Sequence, residues 1–151
     1  MTATWSLALR DIPRPDYASV AIVPIEPSGS VDPAAWARRI FSVRDMPLWI
    51  KAAFGVRQAL VPLLGIERSP AGIFAIRELA DDEVLVAADD THLDFRCAIA
   101  IDEQTRVLCV TTTVRLHGTR GRIYFWPVRL AHPIVMRSMI RAAGRSFGRS
   151  Y

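Results

Sequence analysis

From Arg115 to the end of the chain there is no Asp or Glu, although fifteen acidic residues precede that point. Lysine is almost missing too, with arginine outnumbering it eighteen to one. Such a bias follows genome composition as readily as a need for bidentate donors, so it carries little weight. Two cysteines, Cys97 and Cys109, are too few for a disulfide framework and read as small apolar side chains of a reducing compartment. They flank a predicted hairpin, so a register that set them opposite each other would bridge them. No window holds eighteen consecutive apolar residues, which excludes a spanning helix. The opening Met1-Thr2-Ala3-Thr4-Trp5 lacks the charged and apolar regions of a signal peptide, giving a cytoplasmic expectation.

What is present is an ordinary globular composition: 151 residues, half of them apolar and about a quarter charged, which predicts one domain over residues 1–151. The net charge of +4 hides a polarity. Residues 1–114 carry eleven basic and fifteen acidic groups, and residues 115–151 carry eight arginines alone. A basic end on an acidic body predicts a single cationic surface.

Tyr17 to Ile25 is β-branched and apolar enough for a first strand, after a lead punctuated by Pro13 and Pro15. Asp32-Pro33 then supplies an N-cap and a first-turn proline for a short helix carrying Trp36, Ile40 and Phe41 on one face. A second helix opens at Pro47, with Trp49, Ala53, Val56, Leu60 and Leu63 or Leu64 as its apolar stripe, and ends at Gly65. Ser69-Pro70-Ala71-Gly72 is turn chemistry, and strands are expected at Ile73 to Leu79 and Val84 to Ala88.

Leu93, Phe95, Cys97, Ile99 and Ile101 alternate with polar or small residues, and Leu108, Val110, Thr112, Val114 and Leu116 answer them across a short link. If paired residue numbers sum to 207, His92 faces Arg115, Asp94 faces Thr113 and Arg96 faces Thr111. Beyond Gly118 the period becomes helical. Met136, Ile140, Ala143 and Phe147 share one stripe, and Arg137, Arg141, Arg145 and Arg149 share another. Pro127 and Pro133 predict two pieces, about Thr119 to Ala131 and a longer one after Pro133.

The fold class predicted is α+β: a curved antiparallel sheet packed on a long C-terminal helix, with two short helices after the first strand. Asp32-Pro33-Ala34-Ala35-Trp36-Ala37, His92-Leu93-Asp94-Phe95-Arg96 and Gly121-Arg122-Ile123-Tyr124-Phe125-Trp126-Pro127-Val128-Arg129, followed by His132 and Ile134 to Arg141, resemble the bacterial domain-of-unknown-function family 2867. The resemblance spans about Asp16 to Ala143. It implies a helix-grip fold similar to the START and polyketide-cyclase superfamily, but no accepted activity and no catalytic residues. In related proteins the domain also occurs behind a nucleotide-binding reductase domain, which is not found in this chain.

The hairpin's polar face has two readings. One is a solvent-facing row of cross-strand pairs. The other is a set of convergent polar groups in a cavity beneath the last helix, giving the candidate ligand-binding residues His92, Asp94, Arg96, Thr111, Thr113, Arg115, Arg122 and Tyr124. Arg120 and Arg122 sit where a helix N-terminus is already electropositive, so they call for an anion: a body carboxylate such as Asp89 or Asp90, or a ligand. His92, Asp94, His117 and His132 lack metal-ligand spacing and stand among arginines, and no cofactor fingerprint occurs.

The favoured expectation is a small hydrophobic or anionic ligand held between sheet and helix. The alternatives are an enzyme using Asp94 or His92 as proton carrier with Arg96 or Arg115 stabilising an oxyanion, and an interaction module docking an acidic partner or a reductase. Self-association as a homodimer is left open. Nucleic acid is not expected, because neither an aromatic sheet platform nor a reading helix is visible. Peripheral membrane contact is disfavoured on the ground that a gripped helix has its apolar face occupied.

Overall fold

The computed structural model describes residues 6–65 and 74–148. Five helical and five extended elements follow one another: α1 (Leu7–Asp11), β1 (Tyr17–Pro24), α2 (Pro33–Ile40), α3 (Leu48–Leu60) with a 3-10 turn at Val61–Leu64, β2 (Ala75–Leu79), β3 (Glu83–Asp89), β4 (Leu93–Asp102), β5 (Val107–Leu116) and α4 (Gly118–Phe147). The strands form one antiparallel sheet in the order β1-β5-β4-β3-β2. This is the α+β, helix-grip-like layout that the alternation and the terminal helical period predict. The Ser69-Pro70-Ala71-Gly72 turn and Arg149 lie outside the described residues.

Strand alternation sorts the sheet into two faces. On one, Cys97, Ile99, Ile101, Leu108 and Val110 meet Trp36, Ile40, Met136, Met139 and Ile140 from α2 and α4, and this is the main core. The other face presents Leu85 and Ala98 to Leu7 and Ala8 of α1. The first face is covered by α2 and α4, and the middle of the second by a five-residue strap, with Val20 and Ile22 exposed toward the β1 edge.

No sequence expectation placed a helix at this strap. Ser6 caps α1, donating its hydroxyl to Glu83 at 2.7 Å, while the Leu7 N–H donates to the same carboxylate at 3.1 Å. At its other end, Asp11 pairs with Arg96 and Arg77. Two carboxylate clamps hold a helix too short to persist alone.

The hairpin register needs correction. Asp94 pairs with Arg115, Arg96 with Thr113 and Ala98 with Thr111, so the paired numbers sum to 209 rather than 207. A tight turn between Asp102 and Val107, with Arg106 at φ 51°, sets this offset. Because the shift is two residues, every side chain keeps its expected face. Cys97 and Cys109 accordingly lie on opposite faces, and both are free thiols.

The C-terminal helix also differs from expectation, running unbroken through Pro127 and Pro133. Both rings project from the exposed side, where water can satisfy the carbonyls that lose an N–H partner. On the inner side Gly121, Phe125, Met136, Met139, Ile140 and Ala143 are buried, and that packing offsets the propensity cost of about 3 kcal/mol per proline. Gly121 permits the closest approach: a Cβ there would overlap the His92 carbonyl oxygen.

On α3 the predicted stripe is reversed. Ile50 is buried and Phe54 packs on the core, while Trp49, Val56, Leu60 and Leu63 are exposed.

Candidate functional site

β1 is an edge strand, and its alternate residues Tyr17 and Ser19 point toward α4. Asp16, just before it, ties three elements together. Its N–H donates to the Val114 carbonyl at 2.8 Å, and its carboxylate accepts from the Leu116 N–H at 2.8 Å and from Arg122 at 3.5 Å. The partner of Arg122 is thus Asp16, rather than Asp89 or Asp90. Asp89 belongs to Arg96 and Arg77.

Between β1 and the first half of α4 lies an open cleft of about 200 Å³, bounded by Asp16, Tyr17, Arg122, Phe125, Trp126 and Arg129. One turn further along, a notch of about 40 Å³ is bounded by Ser19, Thr112, Pro133, Met136 and Arg137. His132 stands between them. The Tyr17 hydroxyl is 3.3 Å and the Ser19 hydroxyl 3.4 Å from its Nδ1, and the Tyr17 ring meets both Phe125 and His132 edge-on. Burial lowers the His132 pKa to about 4, so the imidazole is neutral at pH 7. With its proton on Nε2, it accepts at Nδ1 from either hydroxyl.

The cations of the cleft are less engaged than its neutral groups. Arg122 has only the long contact with Asp16, and Arg129 and Arg137 form no ion pair or side-chain hydrogen bond among the described residues. The arrangement can bind: it offers guanidinium donors, two hydroxyls, a neutral imidazole and aromatic walls. Among the described residues no three His, Cys, Asp or Glu side chains converge as a metal set would.

The residues singled out from the sequence fall in separate places. Arg96 is 7% exposed on the α1 side of the sheet, bonded to Asp11, Asp89 and the Phe95 carbonyl. Burial by itself lowers its pKa, but Asp89 and Asp11 outweigh that and raise it; Asp89, raised by burial alone, is held below its usual value by Arg96 and Arg77. Thr113 donates to the Ala8 carbonyl at 3.1 Å, and Thr111 is buried beside it on the same face. Asp94 receives His117 Nε2 at 3.0 Å and pairs in register with exposed Arg115, while the His92 carbonyl accepts the His117 N–H at 2.8 Å. Tyr124 accepts from Arg57 of α3, whose guanidinium lies 5.4 Å from the ring centre. Of the eight, Arg122 alone borders the cleft.

Tyr17, Ser19, Arg129 and His132 escaped the sequence reading as a group. Their meeting depends on an edge strand lying beside a helix more than a hundred residues later. The signal available was the hydroxyl alternation Tyr17-x-Ser19 on a strand whose other side is apolar.

A family described as "Protein of unknown function (DUF2867)" matches residues 12–139, from the end of α1 to the middle of α4. No curated protein and no solved structure matches the chain.

Proposed function

Since the chain belongs to the DUF2867 family of proteins of unknown function, a membership that assigns no reaction, we propose from its own geometry that it binds a small organic anion with an apolar body in the cleft between β1 and α4. The observation that carries this reading is the pair of unengaged cations, Arg129 and Arg137, flanking the Tyr17–Ser19–His132 cluster. A carboxylate or phosphate would find guanidinium donors there, and its apolar body would lie against Phe125 and Trp126. The opening of about 200 Å³ falls below the range of about 300–1,000 Å³ usual for drug-sized ligands, so the molecule is small. His132 serves as a neutral hydrogen-bond partner and Arg122 as a further cation, partly screened by Asp16.

Acid–base chemistry on Asp94 draws no support from this cleft, because Asp94 lies on the other face of the sheet and faces His117. Benzoate, phenyl phosphate and octanoate are suitable probes, followed by His132 ring resonances and Trp126 fluorescence. Saturable binding is expected, weakened about tenfold in Arg129→Gln and by high salt. If none of the three shifts His132, Trp126 emission or the thermal midpoint, the reading is wrong.

A further inference from the structure

The outward line of α4 is not what its inner packing requires. Ile123, Trp126, Leu130 and Ile134, spaced by three, four and four residues, share one side of the helix and are 60%, 65%, 64% and 63% exposed. The same line continues as Arg137, Arg141 and Arg145, all exposed. Arg122 and Arg129 flank it toward β1, and no acidic residue follows Glu103 anywhere in the chain. The helix therefore has two apolar faces. The inner one, with Phe125, Met136, Met139 and Ile140, is buried in the fold. The outer one is unpartnered among the described residues.

Charge decides what could cover it. A second copy laying the same stripe against this one in a two-fold dimer would oppose arginines to arginines, with no carboxylate on the helix to relieve them. An anionic surface with an apolar layer just beneath it satisfies both components. Arginine flanks, a tryptophan and branched aliphatic residues on one side are the make-up of a helix that lies in the plane of a lipid interface. No helix among the described residues is long and apolar enough to cross a membrane, so the contact is one of lying on it.

We propose that the outer face of α4 docks on an anionic lipid surface, with Ile123, Trp126, Leu130 and Ile134 entering the headgroup boundary and the flanking arginines pairing with lipid phosphates. The face adjoins the cleft and shares Trp126, Arg122 and Arg129 with it, whereas Ile123, Leu130 and Ile134 border neither the cleft nor the notch, so a change at Leu130 and Ile134 tests this docking apart from the cleft ligand.

The test is co-sedimentation of the full chain with phosphatidylcholine vesicles with and without phosphatidylglycerol, read together with tryptophan emission. Partition into the anionic vesicles is expected, with a blue shift that Trp126→Phe removes. Salt should reverse it, and the Leu130→Ser/Ile134→Ser double variant should weaken it about tenfold or more while its circular dichroism is unchanged. Absence of partition at low salt overturns the proposal, as does partition that the double variant leaves intact. A dimer in sedimentation equilibrium that the double variant dissolves would also overturn it, assigning the face to a second copy.

Discussion

The two halves of α4 use the same residue types in opposite ways. After Pro133 the helix is conventionally amphipathic: Met136, Met139, Ile140 and Ala143 are buried, and Arg137, Arg141 and Arg145 face outward. Before it, the outward line is apolar, and the half is held by a few specific contacts: Gly121 against His92, Phe125 against Tyr17, and His132 against Tyr17 and Ser19. The difference teaches that apolar residues on one helix need not share one purpose. Met136, Met139, Ile140 and Ala143 hold the fold together, while Ile123, Leu130 and, directly after Pro133, Ile134 leave most of their surface uncovered.

The sharpest way to break this contrast is at Trp36, which packs on Gly144 and Phe147 and donates its indole N–H to the Ser30 carbonyl at 2.8 Å. Trp36→Ala should cost about 3–5 kcal/mol in denaturant unfolding. If it costs less than about 1 kcal/mol, the second half is not the anchor described.

A smaller effect is expected at His132 and depends on pH. Its pKa is 6.5 in the ordinary state and about 4 in the fold, so the unfolded chain binds more protons between those values. Stability is complete above about pH 6.5 and is lost as the pH falls toward 4, by about 3 kcal/mol. His132→Gln should flatten that part of the acid limb in thermal melts at stepped pH. An unchanged slope would show that the imidazole is not shielded between β1 and α4.

The smallest effect belongs to Leu130→Ser, for which a change within about 0.5 kcal/mol is expected. A loss of 2 kcal/mol or more would mean that the outward line supports the fold after all, erasing the contrast between the halves.

Much of the architecture could be read from the chain because it rests on short-range rules. Asp32-Pro33 started a helix as caps and prolines do, and the strict alternation from Leu93 to Leu116 assigned both faces of the hairpin. The register did not follow, since it depends on the turn that Arg106 makes at positive φ. Periodicity also misdirected the reading of α3. Ile50 and Phe54 form one apolar line and Trp49, Val56 and Leu60 another, and helical spacing alone does not say which is buried. In the candidate site, Arg122 was found from the charge imbalance. Tyr17 and His132 were not grouped, because their proximity is a property of sheet order and not of any local pattern.

The five-residue strap has a consequence for the order in which the molecule assembles. The partners of Leu7–Asp11 lie on strands between Arg77 and Thr113, and among the described residues β1 pairs only with β5. During synthesis the early segment therefore leaves the ribosome long before anything it can dock on exists. At roughly 5–20 residues per second, several seconds separate the two events. Closure of the sheet edge and of the strap belongs to the end of folding, when the most distant parts of the sequence have met.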